Sequence, residues 1–178
     1  MADTRVPAAV TWGLFAAWAV HDLEELVTMA GWSRRARPRL EERLPWVPAH
    51  VWDRLDVPQA HVNVAIGGMA VIVAAASAAG ARSGGRSGFY RAALAAFGWH
   101  AAGHLAQGAL VRGYTPGLIT APLVVAPFSL WAHRRLRAAG VTAGPGSVRA
   151  AVPLAAGALA AVHGLAALVT RRRTGPTW

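Results

Sequence analysis

The chain has 178 residues, enough for one domain with a sizeable core, and 54% of them are hydrophobic. It contains no cysteine, which excludes disulfides and thiolate metal sites. The net charge is +10 and every basic residue is arginine, but the arginines fall between apolar segments, which fits membrane flanks and argues against a nucleic-acid partner.

Five apolar runs occupy residues 7–31, 60–81, 88–111, 116–133 and 148–170. Each approaches the ~20 residues that cross about 30 Å of hydrocarbon as a helix. The first follows a single Arg5 and lacks a small-residue cleavage site, so it is read as a retained segment. Residues 32–59 are charged yet carry Leu40, Leu44, Trp46, Val51, Trp52 and Leu55. They read as short amphipathic pieces in the membrane interface, with Trp46 and Trp52 as anchors and a lid as the functional alternative. RSGGRSG (82–88) is a turn, and YTPG (114–117) offers Thr115 as N-cap and Pro116 as first helical residue of segment four. GVTAGPGS (140–147) is a loop, and the arginines at 171–173 stop segment five. The expected fold is therefore all-α: a single integral-membrane bundle of five transmembrane helices, placed as a multi-pass protein in the cell membrane. Arg5 before segment one and Arg34, Arg35, Arg37 and Arg39 after it lean towards a cytoplasmic location for the far end of that segment.

Segment one contains HDLEEL, four ionisable side chains in five positions. A charge near mid-membrane costs about 3 kcal/mol on insertion scales. Helical spacing puts His21, Glu24 and Glu25 on one face and Asp22 to the side. Segment three supplies His100 and His104 at i, i+4, with Gln107 one turn further. His61 and Asn63 open segment two, Tyr114 and Thr120 flank the start of segment four, and His163 lies late in segment five. If the chain alternates direction, all of these fall in the same half of the bilayer, which predicts a shared polar cavity open to one face.

Imidazole and carboxylate without thiolate are donors for zinc, iron or manganese, and helix bundles assemble such sites from Glu and His at i, i+3 or i+4. The expected ligands of one or two divalent ions are His21, Glu24, Glu25, His61, His100 and His104, with a bridging carboxylate in the two-metal case. His21, Glu24 and Glu25 are the expected catalytic groups. Asn63, Gln107, Tyr114, Thr120 and His163 are expected around them or against substrate. An ion pair with Arg112 is the main rival to a metal.

H-x-x-E-E early in a small membrane protein, then H-x-x-x-H, then Y-x-P-G, resembles the bacterial HXXEE-domain proteins. The matching residues are His21, Glu24 and Glu25, then His100 and His104, then Tyr114, Pro116 and Gly117. The resemblance implies a membrane-embedded protein with enzyme-like polar residues and names no reaction. The residues themselves favour a metal-dependent enzyme acting on a lipophilic small molecule, by hydrolysis or oxidation. Two alternatives stand beside it. One is a metal-free cyclase or isomerase using a buried protonated Glu24 or Glu25, with tryptophans 12, 18, 32 and 99 lining the pocket. The other is an ion or metal transporter. The expected partners are the bilayer and the substrate, with a homo-oligomer left open.

Overall fold

The computed structural model describes residues 6–141 and 145–173, and every element among them is helical. In chain order they are α1 (Ala8–Thr28), α2 (Trp32–Arg43), α3 (Ala49–Leu55), α4 (Gln59–Arg82), α5 (Gly88–Val111), a π-helical stretch (Ala121–Val125) running into α6 (Ala126–Ala138), and α7 (Pro145–Arg173). The expected loop at 140–147 is shorter than predicted, because α7 begins at Pro145; its residues 142–144, like Arg5, lie outside the described residues.

Among the described residues, two helices are long and apolar enough to cross a membrane, Gln59–Arg82 and Arg149–Thr170. The 21 residues of α1 carry Asp22, Glu24 and Glu25, and α6 has only 13 residues.

The core lies where α1, α4, α5 and α6 meet. Val10, Leu14 and Trp18 of α1 pack with Val73 of α4, Leu94 and Phe97 of α5, and Val125 and Leu136 of the last pair. Tyr90 shows how closely these helices approach. Its hydroxyl donates to the Val10 carbonyl at 2.6 Å, and its ring lies 2.5 Å from where a Cβ on Gly80 would sit. Only glycine on α4 leaves room for that ring. α7 packs on α4 through Val162 and Ala166 against Ala65, and also covers α5.

The 32–59 connection forms two short helices, and its tryptophans divide. Trp46 is exposed, whereas Trp52 is buried with Leu40, Leu44 and Val111. The expectation of two anchors fails at Trp52, which packs inside this connection. Arg43 adds a hydrogen bond to the Val111 carbonyl at 2.6 Å, satisfying one of the open acceptors at the end of α5. Arg37 bridges Glu41 at 2.7 Å and Asp53 at 2.6 Å, linking α2 to α3, and these two carboxylates raise its guanidinium above the usual range.

The expected helix start at Thr115–Pro116 is incorrect. Residues 114–119 form a turn, and the Thr115 hydroxyl is buried without a hydrogen-bond partner instead of capping a helix. Gly117 has φ of +82°, a left-handed conformation that no helix continues through. Helical structure resumes at Thr120. That displacement leaves the amides of Ile119 and Thr120 free to serve another group.

Candidate metal centre

That group is Glu24. Its Oε1 accepts hydrogen bonds from the Tyr114 hydroxyl at 2.8 Å and the Ile119 amide at 3.2 Å. Its Oε2 accepts from the Thr120 amide at 2.8 Å and the Thr120 hydroxyl at 2.6 Å. Four donors, two of them at the start of a helix, hold the charge. Burial keeps the Tyr114 phenol above its ordinary range, so it stays a donor. The Trp32 indole in turn donates to the Tyr114 carbonyl at 3.0 Å, so α2 braces this turn.

The Thr120 hydroxyl has one hydrogen, and it goes to Glu24. Its oxygen also lies 2.7 Å from His21 Nδ1. The oxygen must accept there, so His21 carries its proton on Nδ1 and presents the lone pair of Nε2. The relay Glu24–Thr120–His21 thus fixes the tautomer that a metal ligand needs.

His21 Nε2 faces the pair from α5. It lies 3.1 Å from His100 Nε2, and His100 Nε2 lies 2.8 Å from His104 Nε2. Glu25 Oε1 completes the group, 3.3 Å from His104 Nε2 and 4.0 Å from His21 Nε2. One donor atom from each of His21, Glu25, His100 and His104 lies within 4.8 Å of all the others. The imidazole planes stand nearly perpendicular, at 73° to 89°, so their nitrogens converge without the rings stacking. Bonds of about 2.0–2.1 Å put neighbouring donors of a tetrahedral site about 3.3 Å apart. The observed separations bracket that value.

Proton counting reaches the same place. With His21 Nε2 a lone pair, the 3.1 Å contact requires a hydrogen on His100 Nε2. That single hydrogen would have to be shared with the 2.8 Å contact, with His104 Nε2 as a second acceptor. His104 Nε2 and an ionised Glu25 would then meet as two lone pairs. A cation at the centre makes every one of these contacts attractive.

Gly117 packs directly on the group. A Cβ there would lie 2.6 Å from His104 Cε1 and 2.9 Å from His21 Cε1. The same residue that breaks the helix therefore lets the turn approach both imidazoles.

Several expected members stand elsewhere. Glu24 is held by the turn and does not join the donor group. His61 Nε2 pairs with His163 Nδ1 at 2.9 Å, linking α4 to α7 away from the group. Asn63 accepts from Gln59 at 2.8 Å, and Gln107 is exposed. Arg112 is also exposed and makes no ion pair among the described residues, so it is not the counter-ion of HDLEEL. Of the four tryptophans expected around a pocket, Trp18 is in place, Trp12 and Trp99 face outward, and Trp32 braces the turn.

Beside the donor group lies a cavity between α1, α4, α5 and α7, with about 920 Å³ of empty space including its open mouth. Glu25 and His100 reach it from one side and His163 from another. So does Asp22, whose place the sequence reading missed. Trp18, Asp22, Glu25 and Met29 recur at steps of four, three and four, which is one helical face. Read from Trp18 instead of from His21, that spacing would have found it.

No curated protein and no solved structure matches the chain. A family model described as protein of unknown function with HXXEE motif matches residues 12–132, which include all four members of the donor group but not α7. With its motif at His21–Glu25 and more than two thirds of its length matched, the chain belongs to the HXXEE family.

Proposed function

We propose that this protein is a membrane-embedded, metal-dependent enzyme that acts on a lipophilic small molecule. The observation that carries the reading is the convergence of three imidazole nitrogens and one carboxylate oxygen at the wall of an apolar cavity. His21, Glu25, His100 and His104 would hold one divalent ion, with zinc, iron and manganese all suited to the donors. Such an ion would supply Lewis-acid chemistry for hydrolysis or, with iron or manganese, redox chemistry for oxidation. The chain's own residues do the rest. Glu24 and Thr120 orient His21, the apolar cavity walls keep bulk water from the reacting group, and Asp22 remains as a free carboxyl facing the substrate space.

Five crossings are part of this proposal. Besides the two long apolar helices, the outward faces carry Val20, Leu23 and Val27 on α1, Leu105 and Leu110 on α5, and Leu123 and Leu130 on the stretch ending in α6. An exposed apolar surface of that extent fits lipid. In this arrangement the three acids of α1 are the membrane cost of the site.

The metal-free alternative rests on one observation. A protonated Glu25 would donate to His104 Nε2 at 3.3 Å and also make the proton count consistent. The transport reading has less support, because beyond Trp18 the cavity meets the packed cluster of Leu14, Leu94 and Phe97.

Cobalt(II) titration of chelator-treated protein in lipid nanodiscs, followed by visible absorption, separates the first two. The expected result is saturation near one equivalent, lost in Glu25→Ala and retained in His61→Ala. No cobalt spectrum in the wild type would overturn the metal reading and move the function to acid catalysis by Glu25.

A further inference from the structure

Asp22 is a buried carboxyl group that the metal centre does not use. It is 7% exposed, lines the cavity, and makes no hydrogen bond or ion pair among the described residues. A buried carboxyl without a partner is costly and calls for an explanation, and its place on the cavity wall points to a ligand that completes it. Its surroundings say what that ligand carries. Trp18 lies one helical turn, about 6 Å, to one side of Asp22 on α1. Glu25 and then Met29 lie to the other side on the same face. On α5 the wall continues from His100 through Phe97 to Ala93, about 10 Å of apolar surface. An apolar wall of that length can lie along a hydrocarbon chain.

Charge decides the polar end of the molecule. Asp22 and Glu25 put two acidic groups on this wall, and the residues lining the cavity include no arginine. Asp22 then faces the cavity as an acceptor with nothing to accept from. An anionic head would be repelled there, whereas a hydroxyl or an ammonium would be bound.

We propose that the cavity binds a single-chain lipophile whose hydroxyl or amine group hydrogen-bonds to Asp22, with the chain running past Trp18 towards Ala93. Asp22 is on this account the residue that selects the head group. The inference rests on reading the cavity as the substrate pocket of the metal centre.

The test uses three probes of equal chain length, dodecylamine, dodecanol and dodecanoate, each brominated at mid-chain. They are added to wild-type protein in phosphatidylcholine nanodiscs, with Trp18→Phe as the background. Bromine quenches tryptophan on contact, so the difference between the two proteins reports occupancy at Trp18. The amine and the alcohol are expected to bind about tenfold or more tighter than the carboxylate. Asp22→Asn is expected to remove the preference of amine over carboxylate, and Ala158→Phe, on the α7 wall of the cavity, to abolish quenching by all three. Equal binding of dodecanoate, an unchanged preference in Asp22→Asn, or no quenching that depends on Trp18 would overturn the proposal. Metal content measured on the same samples keeps the two readings apart. Metal present without head-group selection defeats only this inference. Selection without metal defeats only the metal centre.

Discussion

At the scale of single residues, the two glutamates of the motif have different tasks. Glu25 faces the imidazoles, while Glu24 orients one of them through Thr120. Glu25→Gln should therefore abolish metal binding outright. Thr120→Val keeps the volume but removes the hydroxyl, so His21 loses the acceptor that fixes its tautomer. Loss of such an outer partner weakens metal affinity by about 10- to 100-fold. Competition against a chelator of known affinity would measure it, and an unchanged affinity would refute the relay. The sequence made the i, i+4 pairs legible, His21 with Glu25 and His100 with His104, because that spacing puts side chains on one helical face whatever surrounds them. Glu24, at i+3, was not separable from them. Its direction is set by the amides of residues 119 and 120, almost a hundred positions away in the chain.

At the scale of elements, the 114–120 turn decides the site. A helix started at Pro116 would have consumed the two amides that now bind Glu24. Gly117 is what prevents it, through a positive φ and through the space its missing Cβ leaves beside His104 and His21. Gly117→Ala should lower stability by about 1–3 kcal/mol and reduce metal content, since backbone strain and a side-chain clash act together. Thermal unfolding in detergent beside metal analysis would check both, and a wild-type midpoint and metal content in Gly117→Ala would count against this account. The ranges of α4 and α5 were legible because long apolar runs broken by Gly, Pro and Arg leave few alternatives, whereas the fourth run, expected at 116–133, is displaced towards the C-terminus and its helix continues to Ala138. The turn was not, because Thr-Pro is a common helix opening and the glycine after it carries no mark of its φ. The His61–His163 pair was equally hidden, since it depends on how α4 and α7 meet.

At the scale of the whole molecule, the account joins a bilayer, a cavity and a donor group. Val71 stands 70% exposed on the outer face of α4 and would lie against lipid. Val71→Arg should impair membrane insertion by about 2.5–3.5 kcal/mol if the helix crosses near that level. A glycosylation-mapping assay would read it, and unimpaired insertion would argue that α4 does not span. Alternating chain direction predicts that the histidines and glutamates lie near one another, and the contacts His21–His100, His61–His163 and Glu24–Thr120 do join separate elements. Which of them converge was not legible, because rotation about each helix axis is fixed only by packing such as Tyr90 against Gly80. The central claim is the metal, and elemental analysis of purified protein tests it most directly, with wild type beside Glu25→Ala and His104→Ala. The account predicts close to one zinc, iron or manganese per chain in the wild type and background levels in both variants. No metal in the wild type, even after reconstitution, or metal that both variants retain, would contradict it.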